Sequence, residues 1–210
     1  MESQTVLDYW FGKADFKEEG LDTKRHPSAA EIAQQQSKLW WSKNKSIDLD
    51  IRQSFEPTLK ALLTGQYSSW FETPQGRLAA IIVLDQFSRN MYRDSAHAFS
   101  QDSLALYWAL QGIRQGDDKK LTPLQRVFFY LPLEHCEQLS MQDLAIEKFS
   151  QLADDAPASF SDLAKGFVDY AHQHQEVIAR FGRFPHRNHL LGRLSTKEEK
   201  EYLAKPGAGF

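Results

Sequence analysis

Apolar residues recur along this chain at helical rather than strand spacing, and helix start and stop signals punctuate them. Ser28 stands three residues before Glu31, a capping box that opens a helix running to about Trp41. Ser46 is the expected cap of the next helix and Gly65 its close, while Pro57 predicts a kink or break near Phe55. Thr73 and Pro74 supply a cap and a first-turn proline for the helix that carries the aliphatic run Leu78 to Leu84. That run is apolar on every side, as a buried central helix or a buried strand would be; the cap and the alanines favour helix.

The same punctuation continues to the C-terminus. Ser100 and Gly116 bracket a helix that buries Leu104, Tyr107, Trp108 and Leu110. Thr122, Pro123 and Gln125 form a capping box with proline at the first position, and Pro132 predicts a bend or restart. Ser140 with Asp143 starts the next helix, which ends near Asp155 before Pro157. Ser161 opens a long helix that stops at Gly182, Ser195 and Glu198 cap a short last one, and the Pro206-Gly207 tail is irregular. The expectation is an all-α single domain over residues 1–210, with about eight to nine mostly antiparallel helices. No repeat or low-complexity segment interrupts it.

Composition narrows the setting. A chain of 210 residues, 41% of them hydrophobic, buries a sizeable core and does not read as disordered. The formal net charge of -3 gives no global pull towards nucleic acid or an anionic membrane. No basic-then-apolar leader follows Met1, and the longest strictly aliphatic run falls far short of the ~20 residues that span a bilayer. Cys136 is the single cysteine, which excludes an internal disulfide and a multi-cysteine zinc site. A cytoplasmic protein away from membranes is expected.

Several segments set polar groups into these apolar helices. Asp85 follows the aliphatic run, and a carboxylate buried there needs a cationic or multiple hydrogen-bonding partner. Arg89 lies one turn on, at the i,i+4 spacing that lets the two meet. A structural ion pair closing a core helix would account for this, as would a carboxylate that orients a ligand or a catalytic histidine. Glu134 and His135 follow Pro132. Adjacent helical positions point about 100° apart, so each is expected to reach a different helix, and neither has the spacing of a helical metal site. Cys136 beside them reads as a small buried hydrophobe.

On the helix from Ser161, the residues Leu163, Phe167, Tyr170, His174, Val177 and Phe181 predict a stripe facing the core. His174 within it is either a hydrogen-bonded core residue or a ligand or base, and His172 faces solvent. Asp94 with His97 and Asp169 with His172 are D-x-x-H pairs, but aspartate is short and the former falls in a loop, so no metal is expected. The densest cluster runs from Arg180 through Arg183, His186 and Arg187 to Asn188, with His189 and Arg193 beyond and no acid between Glu176 and Glu198. Gly182 suits a left-handed C-cap, where Arg180 and Arg183 answer the helix dipole. Arg187, Arg193 and the histidines need another account. Guanidinium groups on a Gly/Pro-stiffened loop bind carboxylate or phosphate, either from Asp85 and Glu134 or from a substrate. Interleaved Arg and Phe would also stack on nucleic acid, but the chain lacks broader basic support.

Three stretches together resemble a bacterial domain-of-unknown-function family, the one numbered 924. They are Leu84 to Asn90, Tyr130 to His135, and Ile178 to Asn188, and the likeness extends to the tail from Leu203 to Gly207. Ser88 stands where the family usually has proline, and Cys136 where it often has serine, which weakens any case for a thiol nucleophile. What the resemblance implies is the fold, an all-α, tetratricopeptide-like array of antiparallel helices. It implies no activity, cofactor or catalytic residue.

The leading functional expectation is a pocket for an anionic small molecule, phosphate or carboxylate. Its candidates are Arg89, Arg183, His186, Arg187 and Asn188, with Asp85 and Glu134 orienting them. His135 or His186 would be the acid or base, since histidine titrates near neutral pH. No Gly-rich phosphate loop is present, so no cofactor is expected and hydrolysis or group transfer is favoured over redox chemistry. The alternatives are a module that holds a peptide in a helical groove, anchored by Trp40, Trp41 and Trp70, and a set of buried ion pairs with no active site.

Overall fold

The computed structural model describes residues 1–13 and 27–209. In chain order the helices are α1 (Ser3–Phe11), α2 (Ala29–Trp41), α3 (Lys45–Leu63), α4 (Pro74–Ile82), α5 (Ser88–Met91), α6 (Asp102–Gln115), α7 (Pro123–Glu134), α8 (Leu139–Asp155), α9 (Ser161–Phe181) and α10 (Lys197–Leu203). A π-helical turn, Val83–Phe87, joins α4 to α5 without a break, so Pro74 to Met91 is one continuous helix. The result is an all-α domain with no strand among the described residues.

Local capping chemistry starts half of these helices. Ser28 with Glu31 and Thr122 with Gln125 form complete capping boxes. Elsewhere a neighbour of the expected cap does the work. Asn44 rather than Ser46 caps α3 and accepts the N–H groups of Ser46 and Ile47. Thr196 with Glu199, rather than Ser195 with Glu198, caps α10. Several helices start without a side-chain cap, among them α6 at Asp102, where Ser100 closes the preceding 3-10 turn, α8 at Leu139, ahead of the Ser140–Asp143 signal, and α9 at Ser161, which follows Phe160. Nothing in the sequence marks the start of α1, because Glu2 makes no side-chain cap and the first turn carries no acid.

Neither internal proline breaks its helix. Pro57 deprives the Gln53 carbonyl of its donor, but both residues are exposed, where water can serve instead. Pro132 is buried in α7, which still runs on to Glu134, with the His135 N–H bonded to the Leu131 carbonyl at 2.9 Å.

The aliphatic run is the axis of the fold. Every residue from Leu78 to Leu84 is 0% exposed, and α1, α6 and α7 pack around it. Aromatic rings close the core beside it. Trp10 meets Phe87 and Phe128 edge-on, each at 5.4 Å, and Trp40 meets Phe128 at 4.7 Å. The Trp40 Nε1–H donates to the Trp10 carbonyl at 2.9 Å and ties α2 to α1. Such ring pairs contribute about 0.5–1.5 kcal/mol beyond the area they bury.

Close approach of α6 to α4 and α7 depends on Gly112. A Cβ there would run into the Phe129 ring and lie 2.6 Å from Arg77 Cδ. Gly112→Ala is therefore expected to destabilise the fold by about 1–3 kcal/mol, despite alanine's better helix propensity. Chemical denaturation would read this as a lower midpoint; an unchanged or higher midpoint would contradict the close packing.

Candidate functional site

A cavity of about 640 Å³ opens between the C-terminal end of α2, the π turn with α5, the Ala96–Phe99 turn, the end of α7, α9 and the Pro185–Arg187 turn. Its size is that of a small-molecule site.

The polar side of the cavity is built outward from Asp85. The π turn holds this residue at 0% exposure, just behind the wall. Its Oδ1 accepts from His135 Nδ1 at 2.8 Å and lies 2.9 Å from Arg89 Nη1 as an ion pair, its Oδ2 accepts from Gln86 Nε2 at 2.6 Å, and its backbone carbonyl accepts from Arg89 Nη1 at 3.1 Å. Burial alone would raise the Asp85 pKa, but Arg89 and His135 outweigh it and hold the carboxyl below its ordinary range. An ionised Asp85 fixes the His135 tautomer, with the proton on Nδ1 and the lone pair on Nε2. Burial, with help from Arg89, lowers the His135 pKa, so the ring is neutral near pH 7. Its side chain keeps 15% of its surface open.

Arg89 is gripped on its far side by Asp102, with Nη1 and Nη2 at 2.9 and 3.1 Å from the two carboxylate oxygens. Asp102 lies in the first turn of α6, where the helix dipole favours a negative charge. It also accepts from Arg187 Nη1, at 3.3 Å. The Arg187 guanidinium carbon lies 4.8 Å from the Phe99 centroid and 4.5 Å from that of Phe184. Arg187 is 6% exposed, and its buried Nε has no hydrogen-bond partner. Burial and then Arg89 push its pKa down to about 10, so the charge persists but is poorly compensated.

Glu134 and His135 reach different elements, as adjacent helical positions must. His135 meets the π turn, while Glu134 Oε1 lies 3.4 Å from His174 Nδ1 on α9. The distance is that of an ion pair, but both groups are neutral at pH 7. Burial, then Asp85, raises Glu134 to about 8, and burial lowers His174 to about 3. His174 Nδ1 donates to the Tyr170 carbonyl at 2.9 Å. His186 is lowered to about 4, by burial and then by Arg187.

Arg89, Glu134, His135, His186 and Arg187 thus line one cavity, with Asp85 behind them, but Arg183 and Asn188 do not join it. Arg183 is bidentate on Glu199, at 2.7 and 2.9 Å, and donates to the Leu194 carbonyl. Asn188 donates to Ser195 and Glu199 and accepts from Arg193. Arg180 pairs with Glu198, and Arg193 is bidentate on Glu137. The acids that answer this loop come mainly from α10 and the α7–α8 connection, and neither Asp85 nor Glu134 supplies one. Arg187 alone of the four arginines turns into the cavity.

Apart from His174, the opposite wall carries no signal in the sequence that sets it apart from a core face. The α9 stripe expected to face the core lines the cavity with Leu163, Phe167, Tyr170 and His174, and Leu163 is 38% and Tyr170 46% exposed. Trp41, 53% exposed, lines it from the end of α2. An apolar stripe reads the same whether it meets a core or a cavity wall. Asp102 was also missed, for in the sequence it is one acid near a helix start. No group of three or more potential metal ligands converges among the described residues, and no helix there is long and apolar enough to cross a membrane.

The profile of a family of bacterial proteins of unknown function, DUF924, matches residues 6–207. No curated protein matches the sequence. A solved structure of a protein of unknown function from Agrobacterium tumefaciens is similar over 96% of both chains, with 29% sequence identity and a TM-score of 0.76. The matched span takes in every residue that lines the cavity, and the chain belongs to the DUF924 family.

Proposed function

We propose that the cavity binds the phosphate or carboxylate of a small molecule and that the bound compound undergoes hydrolysis or group transfer. The observation that carries this is the state of Arg187. It is a buried guanidinium on the cavity wall, with one carboxylate contact at 3.3 Å and an Nε that has no partner. A buried cation so thinly paired is costly until an anion comes close enough to balance its charge. Arg89 beside it is already committed to Asp85 and Asp102, so it adds field rather than a free donor.

The acid and base follow from the same geometry. His135 is the base: Asp85 holds its Nδ1–H, which leaves Nε2 to take a proton from water or from an acceptor hydroxyl. The imidazolium that forms is stabilised by Asp85. Glu134, protonated below about pH 8, is the acid that returns a proton to the leaving group. Neighbouring groups whose environments drive their pKa values apart are the usual arrangement for such a pair. His186, near pKa 4 and close to Arg187, is the weaker base. A peptide groove has less support, since Trp40 and Trp70 are only 8% and 7% exposed and Trp41 lines this same cavity.

Two measurements test this. Phosphate- or carboxylate-bearing metabolites are expected to raise the Tm of the wild type by about 5–10 °C at a hundredfold excess over Kd, and to leave a folded Arg187→Ala variant unmoved. A full panel without any shift in the wild type would count against the anion site. The second uses linkage. Because the folded-state pKa of Glu134 is raised to about 8 from 4.5, its contribution to stability is intact below pH 4.5 and is lost as pH rises through 8. Glu134→Gln is therefore predicted to melt above the wild type at pH 8.5 and close to it at pH 4.5. A difference that does not change with pH would refute a protonated Glu134.

A further inference from the structure

We infer that the ligand of this cavity is an amphipathic anion that enters head first, its charged group at Arg187 and an apolar body of arene size or longer along α9. The inference rests on the anion-binding proposal above and adds the part of the ligand that the arginine does not touch. A cavity of about 640 Å³ has room for about 20 water-sized molecules, far more than a phosphate or carboxylate alone would fill.

Beyond the exposed Asp162 in its first turn, the wall that α9 gives the cavity runs from open apolar side chains to a sealed histidine. Leu163 and His174 stand about 16 Å apart on this helix, at about 1.5 Å of rise per residue. Leu163 is 38% exposed and Tyr170 46%, whereas His174 is 3% exposed and sits against Glu134. Arg187, at 6%, belongs to the sealed polar end. The open part of the α9 wall therefore offers apolar side chains, with Lys43, Asp94 and Asp162 exposed around it, while Glu134, His174 and Arg187 lie deep. Opposite α9, the Trp41 ring stacks on Phe128 at 5.9 Å with 13° between planes, and lies 6.4 Å from Phe167. One side of the indole is thus held by packing while 53% of the residue stays open, a preformed apolar surface rather than a loose side chain.

Gly166 lies on the same wall, between Leu163 and Phe167 and Tyr170, and a Cβ built on it meets nothing within 4 Å. Open space beside an apolar stripe, three half-open hydrophobic side chains sharing one cavity, and a poorly paired cation at its closed end call for a ligand of two parts. A bare anion would leave the outer walls wet.

Titration calorimetry with inorganic phosphate, phenyl phosphate, 2-naphthyl phosphate and octyl phosphate tests this, with acetate, 2-naphthoate and octanoate run in parallel. Burial of a methylene is worth about fourfold in affinity. The naphthyl and octyl compounds should therefore bind at least 30-fold more tightly than the bare anion of their series, and the better of the two tells arene from alkyl. Gly166→Leu should fill the apolar half, bringing the naphthyl and octyl compounds to within about threefold of the bare anion without changing the bare anion's own affinity. Trp41→Ala, at an exposed position, should lose about tenfold on the same compounds. Inorganic phosphate or acetate binding as tightly as the long compounds would overturn the apolar body and leave the anion site standing. Long compounds that bind Arg187→Ala as well as they bind the wild type would overturn the head-first orientation, and no binding in either series would overturn both proposals.

Discussion

A carboxylate at 0% exposure in the middle of the most apolar helix must be answered by opposite charge, and the answer organises much of the polar structure around the cavity. Asp85 takes Arg89 and His135 as partners, Arg89 takes Asp102, and Asp102 takes Arg187. The chain Asp85–Arg89–Asp102–Arg187 alternates in sign and gathers segments from the π turn, the start of α6 and the Pro185–Arg187 turn. Each ion has given up hydration to join it, so the network is weak evidence for net stability. What it fixes is position. The compensation runs thin at its last member, and that member faces the cavity.

The arginine-rich loop after α9 divides its cations by task. Arg180, Arg183 and Arg193 are spent on Glu198, Glu199 and Glu137, which fasten the loop to α10 and to the connection before α8. Arg187 is thereby carried on a turn that is tied down on both sides, and its own head is flanked by Phe99 and Phe184. A guanidinium placed in this way loses little freedom when an anion arrives, which is where much of the cost of binding otherwise lies.

The helices were legible because their signals are local. A hydroxyl or amide near the first turn and an apolar stripe behind it need no knowledge of the rest of the chain, and starts shift by a residue or two where adjacent caps compete, as Asn44 and Ser46 do, or where no side chain caps the helix, as at α6 and α8. Asp85 and Arg89 were legible for the same reason, one turn apart on a single helix. The demand that Glu134 and His135 reach different helices followed from angle alone. What could not be read was pairing at a distance. Arg183 and Asn188 look like ligand groups until α10 folds back and supplies Glu199, and Asp102 acquires its importance only once α6 lies against Arg89 and Arg187. The α9 stripe was read correctly as a surface and wrongly as to what it faces, because hydrophobicity marks what avoids water without saying whether protein or a vacant volume takes its place.

The π turn has a consequence for phase. An α-helix advances about 100° per residue, so a turn that takes one residue more offsets everything after it by about that angle. Before the turn, Gly76 to Ile82 are all buried, enclosed by α1, α6 and α7. Beyond it, Arg89 and Asn90 line the cavity, and Asn90 reaches back to Asp48 on α3 at 2.9 Å. One rod thus serves two surfaces, the core before the turn and the cavity beyond it. Where the cations point is set by a count of residues, and the extra one is held in the stretch that also holds Asp85.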